Sequence, residues 1–226
     1  MASERIPVVT IDGPAGAGKS TTARQLAARL GYSFLDTGAL YRAVALAARG
    51  RGIDWGDGPG MGGLAEGLQI RFAPSASGNR VLVDGSDVTE AIRQPEISQG
   101  ASRVSALPEV RAALLGLQQS IGAQGRVVAE GRDTGTVVFP LAFAKFFLTA
   151  TAHERARRRA LELAGQGREV VFAEVLAELE QRDARDSTRA VAPLKQADDA
   201  IEIVTDGVNA DEVVARMEQL VRQRGG

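Results

Sequence analysis

The chain has no cysteine among its 226 residues, which removes disulfides, thiolate zinc sites and a cysteine nucleophile together. It has no surplus of either charge: 27 basic side chains face 28 acidic ones, for a net charge of -1. A sequence-independent nucleic-acid binder needs a strong basic excess, and no aromatic-basic surface pattern is visible. No apolar run approaches the roughly 18 residues of a membrane span. The opening Met1 to Ile6 carries Glu4 and Arg5 before a short apolar run and has no secretory pattern. Neither nucleic acid nor a membrane is expected as a partner, and a cytoplasmic location is. Lysine is scarce as well. Only Lys19, Lys145 and Lys195 stand against 24 arginines, so a lysine at a special position stands out.

What is present is ordinary globular usage, 44% apolar and 24% charged. A chain of this length can bury its own core, as one large domain or a core with a modest insertion. The β-branched run Ile6 to Ile11 predicts a buried strand, the Gly-rich stretch Asp12 to Gly18 a turn, and Lys19 to Leu30 a helix stopped by Gly31. Tyr32 to Asp36 reads as a strand and Ala39 to Arg49 as a helix. Gly56 to Gly63, rich in glycine, reads as a loop or domain edge. Leu68 to Phe72 and Val81 to Val83 read as an antiparallel hairpin around turn chemistry at Pro74 to Asn79. A long helical stretch broken near Pro108 runs to Gly122. Strands at Arg126 to Ala129, Lys145 to Thr149 and Ala200 to Val204 alternate with helices at His153 to Gly165, Val170 to Arg185 and Ala210 to Arg224. Repeated β-then-α units predict an α/β fold with a mostly parallel sheet. The hairpin region, 54–99, is expected as an insertion into a core formed by 1–53 and 100–226.

Gly13-Pro14-Ala15-Gly16-Ala17-Gly18-Lys19-Ser20 matches G-x-x-x-x-G-K-[ST], with an apolar strand before it and a helix after it. The glycines let several backbone N–H groups point at one phosphate cluster, and the helix adds the positive end of its dipole. Lys19 would neutralise the outer phosphates and Ser20 could offer its hydroxyl to Mg²⁺. Nucleoside triphosphate binding follows; the reaction does not, because many NTPases share the loop. No N/T-K-x-D base-reading motif and no transporter signature is found. No hydrophobic strand ending in a lone acidic residue is evident either. These absences favour a small kinase.

The remaining candidates are arginines. Arg155, Arg157, Arg158 and Arg159 open one helix. Arg182, Arg185 and Arg189 recur at spacings of three and four. Arg42, Arg111 and Arg132 sit near strand ends or in loops. By spacing alone these are solvated faces of little individual weight. A phosphoryl-transfer enzyme gives them work, since guanidinium binds phosphate bidentately and a closing segment excludes competing water.

Three further segments carry a resemblance. They are Asp36-Thr37-Gly38-Ala39-Leu40-Tyr41-Arg42, Gly131-Arg132-Asp133-Thr134-Gly135-Thr136-Val137-Val138-Phe139-Pro140, and Arg182 to Leu194. With Ile11-Asp12-Gly13-Pro14 leading into the phosphate loop, the sequence resembles bacterial cytidylate kinases nearly end to end. The resemblance implies phosphoryl transfer from ATP, with Mg²⁺, to CMP and dCMP. It also implies a three-layer phosphate-loop kinase core with a five-stranded parallel sheet. An acceptor-binding region with a small antiparallel sheet and a short helical lid near 153–168 complete it. A monomer is expected.

The resemblance further implies that Gly13, Pro14, Ala15, Gly16, Ala17, Gly18, Lys19, Ser20 and Thr21 bind ATP. Thr37, Arg42 and Arg132 would lie near the acceptor phosphate, Ser102 and Arg111 at cytosine edges, and Asp133 by the base amino group. Arg182 and Asp186 would bracket sugar and phosphate, and Arg189 would help read the base. Lys19, Arg132, Arg182 and the lid arginines Arg158 and Arg159 would act on the transferring group, with Arg155 in the same lid. Thr37 stands where the family often has Ser, and relatives can carry Gly where Ser20 stands. The attacking oxygen is already a phosphate anion, so no catalytic histidine is required, and His153 is expected on the surface near a helix start. Two other readings compete. One is a small kinase for a different acceptor. The other is a nucleotide-binding regulator or nucleic-acid-linked ATPase.

Overall fold

The computed structural model describes residues 6–75 and 78–224. The expected leaderless opening, Met1 to Arg5, lies outside the described residues, as do Ala76 and Ser77 of the expected turn. The chain divides into two compact units, 1–35 with 125–226, and 36–124.

The first unit is built on a five-stranded sheet in the order β2-β6-β1-β7-β8. Its strands are β1 (Ile6–Asp12), β2 (Ser33–Asp36), β6 (Val127–Gly131), β7 (Ala142–Thr149) and β8 (Ile201–Val204). β1 pairs in parallel with β6 and β7, and β7 with β8. Alternation along the strands sorts the two faces. Val9, Ile11, Val128, Ala144, Phe146 and Leu148 bury with α1 (Lys19–Leu30) and α8 (Ala210–Gln223). Each large apolar side chain buried there contributes roughly 1.5–3 kcal/mol. Thr10 and Asp12 point the other way, where a π-helical turn, Thr134–Val138, packs against β1 and β7. Helices α6 (Ala152–Gly165) and α7 (Phe172–Thr188) pair through Ala156, Val175 and Leu179.

The second unit contains α2 (Thr37–Gly50), α3 (Gly58–Gly67), α4 (Pro95–Val104) and α5 (Pro108–Ala123). Its core includes Leu40, Val44, Met61, Ile97, Val104 and Leu114, all essentially sealed from solvent. The expected hairpin is present as β3 (Ile70–Ser75) and β4 (Gly78–Val83), antiparallel with Phe72 opposite Val81. A third strand, β5 (Ser86–Asp87), adds to β4. Pro95 and Pro108 each open a helix, where the missing N–H costs nothing.

One expectation is corrected. Most of the Gly56 to Gly63 stretch is helix α3, not loop. Asp57 caps it by accepting from the Gly60 N–H at 3.1 Å. Tertiary packing overrides propensity: a Cβ on Gly62 would lie 2.7 Å from the Glu109 Cβ of α5, so the glycine is what lets the helices approach. Gly63 faces open space. Two alanine substitutions one residue apart should therefore act oppositely. Gly63→Ala should raise the urea midpoint, gaining up to ~1 kcal/mol of helix propensity. Gly62→Ala should lower it, because overpacking of about 1–3 kcal/mol outweighs the same gain.

Candidate active site

β1 ends at Asp12 and the chain wraps from Gly13 to Gly18 before α1 begins. Gly13, Gly16 and Gly18 take φ of 146°, 77° and 88°, where L side chains strain. At Gly13 a Cβ would lie 1.9 Å from the Leu148 carbonyl oxygen, so only glycine fits. Lys19 is buried, and its Nζ donates to the Pro14 carbonyl at 2.6 Å. Burial pushes its pKa down to about 7; Arg132 and Arg182 push the same way, against Glu130 and Asp12. Ser20 and Thr21, one and two residues on, are exposed.

Asp12 anchors what lies beside the loop. Its Oδ1 accepts from the Thr134 N–H at 2.9 Å and hydroxyl at 2.8 Å, and its Oδ2 from the Gly135 N–H at 2.7 Å. Burial pushes its pKa up, while those hydrogen bonds hold it back. The tethered turn follows directly on Arg132 and Asp133. Arg132 donates from Nε to Asp186 Oδ2 at 2.9 Å, and Arg189 pairs with Asp133 Oδ1 at 3.0 Å. Arg182, Arg132 and Arg189 together hold the Asp186 carboxyl below its usual range although burial opposes them. Lys19, Arg132, Asp133, Arg182, Asp186 and Arg189 are thus brought together in the first unit. Arg185 on the same helix is exposed.

The arginines of α6 separate in role. Arg155, expected in the lid, is buried. It donates to the Ala150 carbonyl at 3.0 Å and the Ala15 carbonyl at 3.1 Å, and pairs with Asp183, whose Oδ1 accepts from the Ala15 N–H. Arg158 donates to the Thr205 hydroxyl at 3.0 Å, and a Cβ on Gly18 would lie 3.9 Å from its Nη1. Arg157 and Arg159 pair with Glu154 and Glu162 of their own helix. His153 is exposed at the start of α6, its ring beside Phe172.

Thr37, Arg42, Ser102 and Arg111 belong to the second unit. Thr37 is buried at the start of α2, which Asp36 caps, and Arg42 pairs with Asp36 at 2.6 Å. Arg111 is buried, donates to the Ser105 carbonyl at 3.2 Å and lies over the Tyr41 ring at 5.6 Å. Ser105 in turn donates to the Ser102 carbonyl at 3.2 Å. Among the described residues the buried Ser102 Oγ has no hydrogen-bond partner.

Three residues escaped the reading of the sequence. Asp12 and Asp183 lie within the Ile11 to Pro14 and Arg182 to Leu194 segments, whose sequence carries no sign that their carboxylates tether loops. The third is Glu130, the penultimate residue of β6, which is buried after Val127-Val128-Ala129 and acts on Lys19. The signal was there in a run only three apolar residues long.

The Asp186 carboxyl gives a pH signature. Its folded-state pKa lies below the unfolded value, so its stabilising contribution is complete above the ordinary carboxylate range and is lost as pH falls through the lowered value. Wild type should exceed Asp186→Asn in Tm at neutral pH, and the gap should close below about pH 4. Thermal melts across that range check it.

A family profile described as cytidylate kinase matches residues 9–223. A curated cytidylate kinase of Syntrophotalea carbinolica is 52% identical over 217 residues, covering 96% of this chain and 92% of the relative. One of Stutzerimonas stutzeri is 49% identical, covering 97% and 96%. A bifunctional pantoate ligase/cytidylate kinase of a Synechococcus species is 50% identical, and there the match covers 97% of this chain but 43% of the relative. Among solved structures, an uncharacterised protein from Eubacterium ventriosum shares the fold at TM-score 0.50 with 10% identity, over 97% of this chain and 99% of that one. On the family match and on identity near one half over almost the whole length, this chain belongs to the cytidylate kinase family.

Proposed function

We propose that the protein transfers the γ-phosphoryl group of ATP to CMP, and to dCMP alongside it, giving ADP and CDP or dCDP. Family membership supports the reaction. The observation that carries the site is the cluster beside the phosphate loop, where the buried Lys19 lies close enough to Arg132 and Arg182 for their charges to push its pKa down. A cation group of this kind is what transfer between two repelling phosphates needs.

Gly13 to Thr21 would bind ATP. Lys19, Arg132 and Arg182 would neutralise charge on the transferring group, in line between donor and acceptor oxygens. Arg158, which pairs with Glu154 of its own helix but also reaches Thr205 and lies near Gly18, is a better lid contributor than Arg159, which pairs with Glu162 of the same helix. In the acceptor role, Thr37, Arg42 and Arg132 would hold the phosphate, and Ser102, Arg111, Asp133 and Arg189 the base. Ser102 supports its part with a buried hydroxyl lacking a partner. Asp186 and Arg182 would hold the sugar. An incoming phosphate would compete with Asp186 for the Arg132 guanidinium.

Mg²⁺ fits the donor set. It takes hard oxygens, keeps most of its water and needs one or two protein ligands beside substrate phosphates. The exposed Ser20 hydroxyl next to Lys19 offers one such oxygen. When bound, the ion would neutralise phosphate charge. We take the working form to be a cytoplasmic monomer; among the described residues no helix is long and apolar enough to cross a membrane.

The test is ADP formation from Mg-ATP with CMP, dCMP, UMP, AMP and no acceptor in parallel. Turnover with CMP and dCMP, little with UMP and none without acceptor supports the reading; ATP binding without turnover on any acceptor overturns it. Two variants refine it. Lys19→Ala should lower the rate on the order of 10³ or more with far-UV circular dichroism unchanged. Asp186→Ala should raise the acceptor KM far more than the ATP KM, and equal losses would contradict its placement.

A further inference from the structure

We propose that Lys145 is a positioning residue for base selection, acting through Asp199 and Pro140 on the Asp133–Arg189 pair. The inference rests on the function proposed above and adds a residue to it.

Lys145 interrupts an apolar strand, Ala142-Phe143-Ala144-Lys145-Phe146-Phe147-Leu148, and it is 5% exposed. An ammonium there is expensive unless paired. Its Nζ donates to the Pro140 carbonyl at 2.8 Å and pairs with Asp199 Oδ1 at 2.8 Å. These partners belong to two separate stretches of chain. Pro140 closes the stretch that opens at Asp133, and Asp199 closes the stretch that opens at Arg189. The two stretches are therefore fastened at both ends, by Asp133–Arg189 at 3.0 Å and by Lys145 at the other.

The second stretch needs such a fastening. From 190 to 200 it forms neither helix nor strand. Side-chain and single backbone links hold it instead. Arg189 Nε donates to the Ala192 carbonyl at 2.6 Å, with Ala192 itself at φ 51°. The Leu194 N–H donates to the Asp186 carbonyl at 2.7 Å. The stem of Lys145 also shapes the first stretch. It passes under Gly135, where a Cβ would lie 3.2 Å from the lysine Cδ and 2.8 Å from Thr10 Oγ1. Gly135 is one of the residues Asp12 holds. Lys145 thus sets the height of the turn that presents Asp133 and the distance to the loop that presents Arg189. Hydrogen-bond readout of one base edge tolerates little displacement, and an error of about 1 Å can cost 10²-fold. Cytosine and uracil differ on that edge by a donor against an acceptor, so the ratio between them reports the geometry.

The experiment uses the full chain with Asp199→Asn, Lys145→Met and Lys145→Arg. Asp199 is half-exposed, so its substitution spares the fold should Lys145→Met fail to yield folded protein. For each, kcat and KM are measured with CMP and with UMP, together with the ATP KM and Tm. In Asp199→Asn the CMP-over-UMP ratio of kcat/KM should fall about tenfold, the usual scale for losing a supporting outer partner. The ATP KM should stay put, and Lys145→Arg should retain more of the ratio than Lys145→Met. A lowered Tm with an unchanged ratio in Asp199→Asn overturns the proposal and leaves a plain structural pin. Wild-type protein inert toward CMP overturns the proposed function, and this inference with it; active wild type with an unchanged ratio overturns this inference alone.

Discussion

Asp12 must remain an acceptor for three donors at once, in a place where water cannot help it. Desolvating a carboxylate costs several kcal/mol, which only good hydrogen bonds and a nearby cation offset. Thr134 supplies two donors, Gly135 the third, and Lys19 the charge. The same interaction fixes two functional pieces to each other. β1 delivers the phosphate loop one residue after Asp12, and the turn it grips begins one residue after Asp133. The requirement for glycine at 135 follows, since Thr10 Oγ1, Asp12 and the Lys145 stem leave no room for a Cβ.

The uneven use of lysine and arginine has a local rationale. Where a cation must satisfy several fixed acceptors in different directions, arginine stands: Arg155 reaches Ala150, Ala15 and Asp183 together. Where a point charge must pass beneath a tight turn, lysine stands, as at 145 under Gly135. Helix α7 distributes the matching anions. Asp183, three residues before Asp186, serves the phosphate loop, and Asp186 serves Arg132. A single helix thereby holds both the phosphate loop and the Arg132 segment.

The legible parts of this chain were the local ones. The phosphate loop is contiguous, and its glycines carry their own reason. The Leu68 to Phe72 alternation points to a half-buried strand, and β3 begins two residues into it, at Ile70. The site arginines were another matter: spacing alone left them as solvated faces, and only the resemblance gave them roles. Arg155 looked like its neighbours because burial of a helical arginine depends on what a distant segment, here Ala15 and Asp183, brings to it. The glycines of α3 point to a loop or domain edge when taken with their own neighbours, whereas they answer to α5. Strand β5, two residues long, is too short for any periodicity to show.

Helix α3 has a consequence for motion. Five of its ten residues are glycine, so its backbone has little intrinsic reason to stay helical and draws its order from docking on α5. Such an element opens by undocking as a unit. Its amides should therefore belong to the least protected helical set of the second unit in hydrogen exchange, while those of α2, lined by Leu40, Val44 and Ala48, should exchange only with deeper unfolding.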